Sequence, residues 1–422
     1  MLERHAFTDT CEQMLRDQLP NLFRLYLNPF VTQACFCLGR YVQSTWDHGR
    51  ESTDYQTFLA NGFDEALSGA IKLARYDANV AGRPASGLVI DPVGRLGSFA
   101  TTTAAGGARV EFLPGLAIAR GRDDLEKVAA SNVRFGFVTL LATQDDQGLP
   151  GAAVEEMRRR DGALLITCVD RGSLAAVRSN PNSSLRKLTP DVVVFDESFA
   201  HHDVPFAAFT ARRALYDHWN RPGKTTFHST TYQPNTISSL HFMRCLERDD
   251  PEFFAAVALD VRRILVDLKL RWTLFRRLYS PTLYKAMRMT GCATADMRAA
   301  GEFVYVNGRA IFDGVSGVAC SIRGHNPSHY LDELATQGDL AAVEDELTTR
   351  LRQLTGLDCV LPAVSGATAI ENALKIALAT QHPKRHVLAL KSGFGGKTLL
   401  ALTGTWNATY KEHIDPLYAD VL

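Results

Sequence analysis

The sequence predicts an α/β fold in which a mainly parallel sheet is flanked by helices. Apolar stretches of strand length alternate with helical segments through the first 245 residues, and the strand candidates are GLVIDP (87–92), FGFVTLLA (135–142), GALLITCVD (162–170) and TPDVVVFDES (189–198). Such alternation is typical of strand–helix–strand units. A second observation is a repeat spaced by about 300 residues, which predicts that one whole domain occurs twice in the chain.

Three pairs of landmarks share nearly one offset. They are EALSGAIKLAR (65–75) with TAIENALKIAL (368–378), Asn28-Pro29 with Asn326-Pro327, and FLP (112–114) with IDP (414–416). The offsets are 303, 298 and 302 positions. We therefore expect an internally duplicated chain whose second copy is truncated at Leu422.

The expected organisation has four parts: an N-terminal helical segment (1–50), a first large domain (51–245), a helical connector (246–290) and the front of a second unit (291–422). In the second unit, VYVNGRAIF (304–312) contains an Asn-Gly pair that favours a hairpin. HVLAL (386–390) predicts a strand before a glycine-rich turn. Below, residues 1–245 are called the first half and residues 291–422 the second half.

Composition excludes several classes of protein. Lys+Arg and Asp+Glu both total 46 in 422 residues, so no net charge favours binding to nucleic acid or to an acidic membrane. No apolar run reaches the ~18 residues of a membrane span, and the N-terminus lacks the pattern of a signal peptide. We therefore expect a cytoplasmic protein that binds neither nucleic acid nor membrane.

The cysteines do not predict a metal site. There are eight, and Cys35 and Cys37 are the only close pair. A CxC pair without a second pair of ligands is weak evidence for zinc. Free buried thiols are the expected state.

Two glycine-rich turns in the second half could bind a ligand. The first, VSGAT (364–368), opens a helix, and backbone N–H groups at a helix start attract phosphate. A purely structural alternative is that Ser365 caps the helix, with Glu371 reaching back to it. The second turn, KSGFGGKT (391–398), ends like a P-loop, but that motif needs a glycine where Lys391 stands. Its aromatic residue, Phe394, could stack on a flat cofactor or fill the core.

In this order, about 28 residues apart, the two turns resemble those of class III aminotransferases, fold-type I enzymes that use pyridoxal 5′-phosphate (PLP). The family's Ser-Gly-x-Glu-Ala-x-Glu helix start and its Phe-His-Gly-Arg-Thr stretch stand here as SGATAIENALK and FGGKT. VYVNGRAIFDGVSGVACSIRGHNP is similar to the family's N-terminal passage, so the resemblance covers residues 301–422. It implies a cofactor site made of Ser365, Gly366 and Ala367 at the phosphate, Phe394 on the pyridine ring, and Gly395 in place of the family's histidine.

The first half follows the family's order but departs from it at the residues that carry the chemistry. Cys168 stands at the aspartate that pairs with the pyridine nitrogen, although Asp170, two residues on, could replace it. Glu197 stands at the lysine that forms the imine with PLP, and glutamate cannot form one. This half is therefore expected to be degenerate, and no catalytic lysine is assigned in the chain.

Two phosphate-binding stretches of the first half are altered as well. Gly62-Phe63 replaces the family's Ser-Gly at the helix start. FHSTTYQPN (227–235) is similar to the family's second phosphate loop, with Thr230 or Thr231 in the role of the hydroxyl donor. The two glycines that shape that loop are replaced by tyrosine and glutamine.

The resemblance implies amino-group transfer through a PLP aldimine, between a small-molecule amino donor and acceptor. The protein would be a homodimer, or a pseudo-dimer in which the first half plays the structural part. The lysine would come from further sequence or a complementing subunit. One alternative is a non-catalytic pseudoenzyme that acts as scaffold or regulatory partner of an aminotransferase. Another is an enzyme that uses Glu197, with His201 as its acid–base partner. No metal is expected at the adjacent His201-His202, because neighbouring strand residues face opposite sides.

Overall fold

A seven-stranded sheet lies at the centre of the first half. The structure, a computed structural model, describes residues 2–46, 54–144, 151–221, 223, 228–336 and 340–421. The strands of the sheet are β1 (Tyr55–Ala60), β2 (Gly87–Ile90), β5 (Leu116–Ala119), β6 (Phe137–Leu141), β7 (Leu164–Val169), β8 (Val192–Phe195) and β9 (Ala207–Arg212), in the order β1-β9-β8-β7-β6-β2-β5. The neighbours from β5 to β8 are parallel, and β9 is antiparallel to both β8 and β1. The predicted α/β class with a mainly parallel sheet is confirmed.

Smaller sheets and helices complete the chain. β3 (Thr101–Thr103) pairs with β4 (Arg109–Glu111), and β10 (Met297–Ala300), β11 (Phe303–Val306) and β12 (Arg309–Phe312) form an antiparallel sheet. The α-helices are α1 (Leu2–Arg16), α2 (Pro29–Trp46), α3 (Phe63–Val80), α4 (Gly97–Ala100), α5 (Arg122–Ala130), α6 (Gly151–Asp161), α7 (Arg171–Ser179), α8 (Ser184–Lys187), α9 (Arg213–Asn220), α10 (Thr236–Asp249), α11 (Pro251–Val266), α12 (Leu268–Leu274), α13 (Pro281–Met289), α14 (Ser316–Ala319), α15 (Tyr330–Thr336), α16 (Leu340–Thr355), α17 (Gly366–Thr380) and α18 (Leu399–Thr403). The turn between β11 and β12 is the predicted Asn-Gly turn.

Helices cover both faces of the large sheet. In β2, Leu88 and Ile90 belong to the core that α2, α10 and α11 cover, and Val89 belongs to the core that α3 and α9 cover. This alternation follows from the two-residue period of a strand. Leu399 and Leu402 of α18 enter the same core as α3, so the second half is packed against the first.

One predicted strand of the second half is absent. Within HVLAL, Val387 makes a single bridge to Val421, while Leu388 and Leu390 are 81% and 83% exposed. The prediction was wrong because strand propensity needs paired neighbours to take effect, and the described second half gives this stretch no sheet to join.

Two further observations bear on the predicted organisation. The boundary expected at residues 50–51 lies outside the described residues, and α2, from the predicted N-terminal segment, packs into the core of the sheet. In the part of the chain that the structure describes, every helix is too short or too polar to cross a membrane.

Candidate functional site

A cleft of about 420 Å³ lies between the two halves. The first half lines it with Glu65 and Ser229–Thr231, and the second half with Ser365–Ala367, Ile370, Phe394–Lys397 and Tyr410. All five residues predicted to bind the cofactor line this cleft. The cleft also contains Thr230 and Thr231, the two candidates for the hydroxyl donor of the first half.

The phosphate turn is built by the start of α17. Ser365 caps this helix: the Thr368 N–H donates to Ser365 Oγ at 3.3 Å, and the Ser365 N–H donates to Thr368 Oγ1 at 3.1 Å. The N–H groups of Gly366 and Ala367 belong to the first turn, where no carbonyl of the helix can accept them. A β-carbon placed on Gly366 would have no heavy atom within 4 Å. The turn therefore offers open amide donors to an anion in the cleft.

The structural alternative for this turn assigned the wrong partner to Glu371. Glu371 does not reach back to the cap: its carboxylate accepts from the Thr398 hydroxyl, and from the Ala401 N–H at 3.2 Å. Glu371 thus ties α17 to the start of α18. The cap and the open amides occur together, so the cap alone does not decide between a structural and a binding role.

The first half contributes hydroxyls and a buried carboxyl group. The Asn61 amide donates to Thr230 Oγ1, and the Asn61 N–H donates to Glu65 Oε2 at 3.0 Å. Burial raises the pKa of Glu65, and hydrogen bonds from Ser365 and Asn61 act against that rise. Glu65 starts on α3 of the first half and meets the Ser365 turn of the second. The cleft is thus a joint product of both halves.

The glycine-rich loop packs directly on the phosphate turn. The N–H groups of Gly395 and Gly396 donate to Thr405 Oγ1 at 3.0 and 3.2 Å. Gly396 has φ 138°, and a β-carbon there would lie 2.8 Å from the β-carbon of Ala367. Both the conformation and the close approach require glycine. Phe394 is 66% exposed, with its ring edge against Tyr410, so it does not fill the core.

Lys397 is the functional candidate that the sequence reasoning missed. Its Nζ donates to Ser229 Oγ at 3.0 Å and lies 4.2 Å from the centre of the Tyr410 ring. Burial, and next the charge of Arg24, lower its pKa to about 8. In the sequence, Lys397 ends a stretch that resembles a P-loop, and the spacing of that stretch excludes the motif. Nothing in the local sequence indicates that Ser229 and Arg24, over 160 residues away, would lie beside it.

The start of α3 in the first half already has a hydrogen-bond acceptor, which the first half itself supplies. The Phe63 N–H, in the first turn of α3, donates to Glu197 Oε1 at 2.6 Å. Arg95 lies 3.8 Å from Glu197 Oε2, bonds Asp196 at 2.8 Å, and stacks 4.3 Å from the centre of the Phe63 ring. The carboxylate of Glu197 therefore occupies the position that an anionic ligand would need at this helix start.

The remaining candidates of the first half have structural partners. Asp170 caps α7 by accepting from the Ser173 N–H at 2.8 Å, so it does not replace Cys168, which is fully buried and whose pKa burial raises. The imidazole of His201 bonds Asp249 and Arg171, and its backbone N–H donates to the Glu197 carbonyl, whereas the Glu197 carboxylate accepts from the Phe63 N–H and lies beside Arg95.

The two adjacent histidines do not lie in a strand. His201 and His202 have φ of 54° and 61° in a turn after the Glu197–Ala200 helical turn. The strand argument against a metal was therefore wrong, although the described residues contain no group of side chains that could hold a metal ion.

Sequence landmarks that the repeat prediction pairs across the two halves contact the same residue. Arg75 of α3 donates to the carbonyl of Pro114 at 2.7 Å and also to the carbonyl of Pro416. These prolines lie 302 positions apart and are the pair that the repeat prediction matches. In the same helix, Lys72 donates to the Lys397 carbonyl at 3.0 Å. Helix α3 of the first half therefore supports the glycine-rich loop of the second half.

Comparison with known proteins finds a family match that includes the whole second half. Residues 285–422 match the family model described as aminotransferase class III, which confirms the resemblance found for residues 301–422. The internal duplication stays a prediction.

Individual relatives are matched over part of their length. Acetylornithine aminotransferase of Archaeoglobus fulgidus is 31% identical over 134 residues, which cover 29% of this chain and 36% of the relative. Aminotransferase PigE of Serratia sp. is 27% identical over 162 residues, which cover 35% of this chain and 19% of PigE. A solved Bacillus anthracis aminotransferase aligns with a TM-score of 0.45 and 16% identity, over 62% of this chain and 64% of that one. The chain thus spans about a third of acetylornithine aminotransferase and about a fifth of PigE.

Proposed function

We propose that this chain forms the cofactor-phosphate cleft of a PLP-dependent class III aminotransferase that acts on a small-molecule amino donor and acceptor. One observation carries the proposal. The turn Ser365–Ala367, at which the family match implies phosphate binding, faces the hydroxyl-bearing residues Ser229–Thr231 across a single cleft. Neither half supplies this arrangement alone.

The residues of the cleft fit the cofactor chemically. The amides of Gly366 and Ala367 and the hydroxyl of Thr230 are donors suited to a phosphate dianion. The exposed ring of Phe394 offers a face for the pyridine ring. Bound PLP would supply the electron sink for amino transfer. The residues of the cleft would hold its phosphate, orient its ring and exclude water from one side.

The pseudo-dimer is the second part of the proposal. The contacts of Arg75 with Pro114 and Pro416, and of Lys72 with the Lys397 loop, support a pairing of the halves within one chain. The first half then acts as the structural partner, since Glu197 covers its own helix start. The family lysine and aspartate of the second site would come from further sequence or a complementing subunit.

Binding of PLP to the full 422-residue chain tests this proposal, with Gly366 as the site of a matched pair of variants. Gly366→Asp places a negative charge where the phosphate would bind, while an acidic residue at a helix start stabilises the helix. Gly366→Ala adds only a methyl group in open space. We expect PLP to bind the wild type and Gly366→Ala, with displacement by inorganic phosphate, and Gly366→Asp to lose binding without losing stability.

Equal PLP binding by the two variants would contradict the proposal that the phosphate of PLP binds at Gly366. Absence of binding in the wild type would instead favour a non-catalytic scaffold.

A further inference from the structure

Lys397 is placed differently from Lys391 and Lys411, the neighbouring lysines of the second half. Its side chain is only 8% exposed, and it follows the glycine loop that packs on Ala367. Among the described lining residues of the cleft, it supplies the one amine. Lys391, in the same loop, faces Trp406, and Lys411 donates to the Thr403 carbonyl at 2.8 Å.

The surroundings of Lys397 disfavour its charged form. Burial and Arg24 lower its pKa to about 8, and the charge of Lys397 acts in turn on the buried groups Lys72 and His228. Glu65 lies in the same cleft, and burial raises its pKa. With a pKa of about 8, about a tenth of the amines are neutral at pH 7, against about 0.03% for an ordinary lysine. A desolvated lysine beside another cation is a recognised form of activated amine.

We propose that Lys397 is a carbonyl-reactive lysine that captures an aldehyde bearing a phosphate monoester in the cleft. The proposal rests on the proposed function, because the phosphate contacts at Ser365–Ala367 and Thr230 would hold the aldehyde near the amine. PLP is the aldehyde that this function implies. Lys397 lies on a loop, so it is distinct from the family's lysine position, where the first half has Glu197.

The chemical step is a condensation and needs no other reactant. The lone pair of Nζ attacks the aldehyde carbon, the C–N bond forms, and the carbonyl oxygen takes up protons and leaves as water. A C=N double bond remains, and nothing is oxidised or reduced. The Ser229 hydroxyl, 3.0 Å from Nζ, can relay a proton from the attacking amine to the carbonyl oxygen as the C–N bond forms. Tyr410 covers one side of the amine and limits access of water.

Trapping with borohydride tests the proposal directly. The purified full chain is incubated with PLP and reduced, and the pyridoxyl group is then located by peptide mass spectrometry. We expect a saturable adduct at Lys397 that rises with pH around a midpoint near 8, because the neutral amine is the nucleophile. Lys397→Arg keeps the charge but cannot form the imine, and should lower total incorporation at least ~10-fold. Lys391→Arg is the matched control in the same loop and should leave the adduct unchanged.

Two further arms separate the failure of this inference from failure of the proposed function. PLP could bind reversibly and be displaced by inorganic phosphate, and yet leave no adduct at Lys397. This result would overturn the inference about Lys397 and would retain the cleft as a phosphate-binding site. Pyridoxal, which lacks the phosphate, could label Lys397 as fast as PLP does. This result would retain Lys397 as a carbonyl-reactive lysine and would overturn phosphate binding by the cleft. An adduct spread evenly over exposed lysines overturns the inference.

Discussion

Helices α3 and α17 have similar sequence patterns, but they differ in burial and in what lies at their first turns. Leu73 of α3 is completely buried against the large sheet, whereas Ile376, its counterpart 303 positions later, is 48% exposed. The start of α3 is covered by Glu197, whereas the start of α17 opens into the cleft. The comparison teaches that one helix serves mainly to stabilise the fold, while its counterpart keeps the donors with which a ligand could be bound.

The largest expected effect comes from truncating the buried member of this pair. Leu73→Ala should lower the free energy of unfolding by about 2–5 kcal/mol, because it leaves a cavity against the sheet. Ile376→Ala, the matched change in α17, should cost less than about 0.5 kcal/mol. Urea denaturation followed by circular dichroism measures both. Similar costs would show that α17 is packed as tightly as α3, contrary to the comparison.

The next effect concerns the covered helix start. Glu197→Gln removes a carboxylate that accepts from the first turn of α3 and lies beside Arg95, and should cost about 1 kcal/mol. Glu197→Lys should cost more, because it sets a cation beside Arg95 and the positive end of the helix. We further expect Glu197→Lys to bind no more PLP per chain than the wild type, as equilibrium dialysis would measure. A second equivalent of bound PLP would show that the first half keeps a usable site.

The open helix start makes the complementary prediction. Ser365→Ala and Thr230→Val should each weaken PLP binding by about 1 kcal/mol, or roughly fivefold, through the loss of one hydroxyl donor. Thr230→Ser keeps the hydroxyl and is the control for Thr230→Val. Titration followed by the absorbance of PLP gives the dissociation constants. A loss confined to Ser365→Ala would show that the first half takes no part in the site.

The smallest effect tests the contact between the halves away from the cleft. Lys375 of α17 lies 4.9 Å from the centre of the Phe99 ring in the first half and 3.9 Å from Glu371. Lys375→Met should lower the free energy of unfolding by about 0.5–1 kcal/mol. Lys384→Met, at an exposed position, is the control and should be neutral. Thermal unfolding detects the difference, and an equal response of both variants would argue against the contact.

Local patterns were enough to predict most of the first half's sheet and the two turns of the second. The runs around Val89, Phe137 and Val193 became strands because each is apolar on both faces, as a covered parallel strand requires. The HVLAL run has the same pattern but makes only one bridge, from Val387 to Val421, since a strand forms only with neighbours. Lys397 escaped notice because its partners, Ser229 and Tyr410, converge on it only in the folded chain.

The sequence by itself determined the α/β class, and it predicted a phosphate turn at Ser365–Ala367 and the replacement of the family lysine by Glu197. These features can be inferred from the sequence because they depend on residue type and on short spacings along the chain. Only the tertiary structure decided that Thr230 of one half faces the Ser365 turn of the other, and that Glu197 covers the start of α3. Contacts between segments more than 130 residues apart depend on how the sheet and helices pack, and no local pattern encodes that packing.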